Sequence, residues 1–225
     1  MNSRNLLAAL QHADSFFPSG AISFSWGLEA LRADGFVRGA DDVQRVVGGQ
    51  LRHRWATADR AVLTATYSAG DDLHSVSAFD HLQEAITLPA EIRQGSRRMG
   101  AALLGVHARL ETRNAAAYRA WVLTNRTPGH VAVVQGLVWR GIGLDLEAAW
   151  SIAAYGFCVG LIGAALRLGL IGHVDGQRSL TALRGLIAEV LATPVPSLDE
   201  ISTFAPACDV ASMRHEIQPD RLFAN

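Results

Sequence analysis

A chain of 225 residues, 49% apolar and 18% charged, holds ample material for a sizeable core in one or two domains. A formal net charge of -1 offers no basic field to a nucleic-acid polyanion, so nucleic acid is excluded as a partner class. All twenty basic residues are arginine, and the missing lysine removes Schiff-base chemistry and the lysine of a phosphate-binding loop.

In chain order, the segment Met1 to His12 lacks the apolar run and small-residue cleavage site of a secretory signal, which points to the cytoplasm. Residues 13–29 then place Phe16, Phe17, Phe24 and Trp26 within a short span, read mostly as core. Pro18 and Gly20 shape a turn between two helices, with Ser19 or Ser23 free to cap. Ser25 and Glu29 stand one residue further apart than a capping box and mark a possible helix start. Asp41-Asp42 opens a run in which Val43, Val46, Val47, Leu51, Trp55, Ala58, Val62 and Leu63 follow three-four spacing. The same periodicity returns over Leu73–Ile86, Glu91–Leu110 and Ala115–Leu123. Breaks fall at Asp34-Gly35, Ala69-Gly70-Asp71, Pro128-Gly129, Gly141–Gly143, Gly172 and Pro194–Pro196. Strand-like alternation is nearly absent. The pattern predicts an all-α, single-domain bundle of seven to ten helices over residues 1–225, with a helical body (1–205) and a docking tail (206–225).

The run Ala148–Ile171 holds one charge, Arg167, and is long enough to span a bilayer. It also carries Gly156 and Gly160 at the spacing that membrane helix pairs use. Asp145 and Glu147 at its entry, and the lack of flanking basic clusters, favour the buried central helix of an α-helical domain. On that reading its glycines let neighbouring helices approach closely, and no membrane is expected.

Eight histidines are scattered without His-x-His or His-Glu-x-x-His spacing, and His74 and His81 lie about 10 Å apart on one helix face, too far for one ion. Cys158 reads as a small buried hydrophobe, and Cys208, in the tail, as a residue open to exposure. No Gly-x-Ser-x-Gly elbow and no phosphate loop is present. Asp41-Asp42 and Asp71-Asp72 suit helix N-termini. The residues show no recognisable catalytic apparatus. An alternative remains, a small all-α hydrolase or lyase using Asp209, His215 and Glu216.

The last twenty residues place apolar Val210, Met213, Ile217, Leu222 and Phe223 among Asp209, Arg214, His215, Glu216 and Arg221. Such a mixture at a terminus docks on its own body or on a partner. Asp-Val-Ala-Ser-Met-Arg-His-Glu (209–216) followed by Arg221-Leu222-Phe223 resembles the C-terminal signature of UreF-type urease accessory proteins. The segment 13–29 resembles the family's N-terminal motif at Asp14, Pro18, Gly20, Gly27, Leu28 and Glu29. The middle resembles it from Gly129 to Leu137 and from Tyr155 to Gly172.

The resemblance implies a non-enzymatic, all-α, homodimeric protein. It implies a bridge between the UreD (also called UreH) scaffold and the UreG GTPase, delivering nickel to apo-urease. The chain itself then binds no cofactor, nickel and GTP being handled by its partners, and holds no resident metal. The carried-over partner-binding residues are Asp209, Met213, Arg214, His215, Glu216, Arg221, Leu222 and Phe223, on a tail that becomes ordered on the scaffold. Two departures stand out: Phe24 where the family usually has histidine, and Pro219-Asp220 where it usually has Tyr-Ser.

Overall fold

Asp72 and Asp145 each accept a backbone N–H one turn into the helix that follows, and Pro206 fills a first-turn position where no donor is needed. The computed structural model describes residues 3–14, 16–18, 24–218 and 221–223. Gly20, Pro219 and Asp220, singled out in the sequence, lie outside them, as do Ser19 and Ser23. The helices are α1 (Ser3–Ala13), α2 (Leu28–Ala33), α3 (Ala40–Gln50), a π-helical segment (Leu51–Asp59), α4 (Arg60–Ala69), α5 (Leu73–Ile86) and α6 (Ala90–Arg109). There follow α7 (Ala115–Leu123), α8 (Val131–Gly141), α9 (Leu146–Arg167), α10 (His173–Ala192) and α11 (Pro206–His215). Because α3, the π segment and α4 run on without a break, the described residues form ten helical rods and no strand. The expected all-α bundle is what is found.

Helices α8 and α9 lie at the centre. Helix α8 packs on α4 and α6, and α9 packs on α10, α1 and α3. Gly136 explains how close α8 and α4 come: a Cβ there would sit 2.6 Å from the Leu63 carbonyl oxygen. Fully buried Asp80 ties the start of α8 to α5 and α7. Its carboxylate accepts from the Tyr118 hydroxyl (2.6 Å), the Thr127 hydroxyl (2.7 Å), and the Gly129 and His130 amides (2.6 and 2.9 Å). That saturates a buried charge with donors, the condition for keeping it out of water.

Helix α9 is by length and composition able to cross a membrane, and half of its most apolar stretch is buried in the protein. Its inner face, including Ile152, Cys158, Leu161 and Ala165, belongs to the core. The expected role of its glycines is corrected. A Cβ on Gly156, Gly160 or Gly163 would meet nothing within 4 Å, so these residues bring no helix close. They line a cavity of about 370 Å³, with Trp26, Trp55, Met99 and Phe157 around it. Cys158 is buried as expected, whereas Cys208 is buried too. Of the four aromatics in 13–29, Phe17, Phe24 and Trp26 are core and Phe16 is 92% exposed.

Candidate partner-docking site

The structure brings the N-terminal motif and the tail together. After Trp26 and Gly27, both with positive φ (54° and 84°), α2 starts under α11. Gly27 is required twice over. Its φ lies in the left-handed region, and a Cβ would stand 2.6 Å from the Cys208 carbonyl oxygen. Glu29 does not cap α2, whose cap position is Gly27. Its carboxylate reaches the tail instead, accepting from the Leu222 amide (2.7 Å) and the Phe223 amide (3.2 Å).

His215 is the keystone of this contact and is fully buried. Its Nε2 lies 2.9 Å from Glu29 Oε2 and its Nδ1 lies 2.9 Å from Glu91 Oε2. Each ring nitrogen thus has a carboxylate oxygen within hydrogen-bonding distance. Arg221 approaches the second carboxylate, Nη1 to Glu91 Oε1 at 3.4 Å. The His215 ring and the Arg221 guanidinium therefore both face buried carboxylates. Phe223 inserts beside it, buried, with the Arg167 guanidinium 4.5 Å from its ring centre.

Around this clamp the packing is polar and incomplete. Arg54, buried in the π segment, sits 5.0 Å from the Trp26 ring centre and only 3.7 Å from Asp209. Burial raises the Asp209 carboxyl above the usual range, against the opposing pull of Arg54. Gln50 Oε1, Arg54 Nε and Ser212 Oγ are buried without a hydrogen-bond partner. At the surface, Arg214 forks onto Asp34 with 2.7 and 3.0 Å bonds.

Helix α11 carries apolar side chains on both its inner and its outer face. It turns Cys208, Ala211, Ser212 and His215 inward. Val210 and Met213 face solvent, with Ile217 (86% exposed) and Leu222 just beyond its end. Of the tail residues singled out in the sequence, Asp209, His215, Arg221 and Phe223 are engaged with the body, Arg214 pairs at its rim, and Met213, Glu216 and Leu222 face outward. In the N-terminal motif, Gly27 and Glu29 belong to the clamp, while Asp14 accepts from the Phe16 amide and lines the cavity, and Pro18 is exposed. Phe24, where the resemblance leads one to expect histidine, is buried with its ring against Gly95.

The three residues of the hydrolase alternative are not brought together. Asp209 faces Arg54, His215 is held by Glu29 and Glu91, and Glu216 is exposed. Glu91 and Arg54 were not singled out in the sequence. Glu91 sits in the first turn of α6, where an acidic residue reads as a partner for the helix dipole, so nothing local marks it.

A family model described as UreF matches residues 37–184. Similar curated proteins include a urease accessory protein UreF from Trichodesmium erythraeum, 32% identical, the match covering 97% of this chain and 96% of the relative. Another, from Kocuria rhizophila, is 31% identical with the same coverage, and one from Actinobacillus pleuropneumoniae is 29% identical over 96% of this chain and 98% of its own.

Proposed function

The chain belongs to the UreF family of urease accessory proteins, and from that premise we propose that it assembles the complex that loads nickel into apo-urease. In this reading it is a cytoplasmic homodimer and not an enzyme. It binds the UreD/UreH scaffold through its tail, and the joint surface receives UreG, which hydrolyses GTP. Nickel is the cargo of the complex, and neither nickel nor nucleotide is a resident group of this chain.

The apolar side chains that α11 and the residues just after it leave exposed carry the proposal. A segment that served only to close the core would bury Val210, Met213 and Ile217, which are exposed here while Ser212 and His215 are buried. Large apolar side chains gathered in water mark a surface for another protein. The clamp at Glu29 and Glu91 holds this segment in place in advance, which lowers the ordering cost of binding. Regulation of UreG follows as a coupling free energy, the assembled surface binding one nucleotide state of the GTPase better than the other.

Co-expression with UreD and UreG, followed by pull-down, tests the assembly role. The full chain is expected to retain both partners, and a chain ending at Ala207 to lose both. Equal recovery by the two forms contradicts it.

A further inference from the structure

Helix α1 turns its leucines outward. Leu6, Leu7 and Leu10 are 46%, 66% and 58% exposed, while Ala8, Ala9 and Ala13 pack against the core and His12 stacks on His107. At the helical repeat the three leucines fall within about 100° of the circumference, on the side away from Ala8, Ala9 and His12. A helix that served only to cover its own body would turn leucine inward and alanine outward. Resting mainly on α9, α1 does the reverse.

Its charges are reversed as well. The first turn holds no acidic residue and carries Arg4, while Asp14 directly follows the last residue of the helix. The Asp14 amide still donates to the Leu10 carbonyl at 3.1 Å, so Asp14 continues the helical course, and both Arg4 and Asp14 are exposed. A cation at a helix N-terminus and an anion at its C-terminus both oppose the helix dipole. A second α1 laid antiparallel alongside sets a cation beside that anion and an anion beside that cation.

The spacing satisfies the leucines and the charges together. The midpoint of Leu7 and Leu10 lies about half a residue, or about 0.8 Å along the axis, from the midpoint of Arg4 and Asp14. A two-fold axis at that point sets Leu7 of each copy against Leu10 of the other. It also brings Arg4 of each copy to Asp14 of the other. Asp14 keeps one carboxylate oxygen on the Phe16 amide (2.9 Å) and has the second to offer. Such self-complementarity is what an isologous contact requires.

We propose that α1 is the contact between two copies of this chain, paired antiparallel through Leu6, Leu7 and Leu10, with the homodimer of the proposed function as its premise. With exposed Phe16 and the flanking polar side chains, each copy offers on the order of 500 Å² to this contact. The pair then buries about 1,000 Å², the area at which specific interfaces begin.

Sedimentation velocity of the purified full chain over a range of concentrations reads the pairing. The wild type is expected to sediment as a dimer. Leu7→Glu with Leu10→Glu is expected to raise the dissociation constant about 100-fold or more, with an unchanged thermal midpoint. Arg4→Glu and Asp14→Arg are each expected to weaken pairing about tenfold, because each sets like charges together. Mixed in equal parts, those two variants are expected to pair with one another as tightly as the wild type pairs with itself. That recovery belongs to an antiparallel contact between copies, and a different protein lying on α1 does not produce it. A wild type that stays monomeric at every concentration overturns the homodimer and this contact together. A wild-type dimer that survives Leu7→Glu with Leu10→Glu, or a mixture no tighter than its parts, overturns the α1 contact and leaves the homodimer standing.

Discussion

Glu29 accepts from three donors of the tail at once: the His215 ring, the Leu222 amide and the Phe223 amide. Removing it takes a partner from each of them, and His215 and Phe223 are buried, where breaking a pair of this kind costs about 3–5 kcal/mol. The Arg214–Asp34 fork is shorter-lived in energetic terms because Arg214 is more than half exposed, and such pairs are worth about 0–1 kcal/mol. Glu29→Ala is therefore expected to weaken docking of residues 206–223 by about 3 kcal/mol, read as rapid proteolysis of the tail from an otherwise intact body. Arg214→Ala is expected to leave the tail nearly as resistant as in the wild-type chain. Equal tail resistance in Glu29→Ala and wild type contradicts the clamp. Glu29 was visible in the sequence as a matched motif residue, yet its local spacing suggested a cap. Its true partners lie nearly the whole chain away, and no local pattern encodes a contact at that separation.

The helices themselves were legible because each buries one face, and burial writes a 3.6-residue period into the sequence. The spans at 73–86 and 115–123 match the predicted ones residue for residue. The π segment was not legible. Its widened turn shows only in the steps of four from Val47 to Leu51 to Trp55, too short a stretch to separate from an α-helical period. The open glycine face of α9 was misread because small-residue spacing records only that Cβ atoms are missing, and a cavity leaves the same trace as a close helix. Gly136 on α8 is the opposite case, with the backbone of α4 in the place its Cβ would take. Gly136→Ala is expected to push α4 from α8 and destabilise the fold by about 2 kcal/mol, seen as a lower denaturant midpoint. An unchanged midpoint shows that the two helices are less closely bound than their geometry indicates.

For the whole molecule, residues from both ends of the chain converge at one place. The family resemblance in the sequence rested on the segments 13–29, 129–137, 155–172 and 209–223, and the fold stacks α2 beneath α11 so that the first and last of these meet. Resemblance identified the tail as a docking element, while physical reading of the residues left self-docking and partner docking equally open. In the structure Cys208, Ala211, Ser212 and His215 of α11 are held by the body, and Val210 and Met213 are left outward. The central claim is that this outward face recruits the nickel-loading partners. Its most direct test is the nickel content of urease co-expressed with its accessory proteins, with this chain supplied as wild type or as Met213→Asp with Ile217→Asp. Both side chains are substantially exposed, so the variant is expected to keep its thermal stability and to leave urease largely without nickel. Urease filled to the wild-type level by that variant contradicts the account.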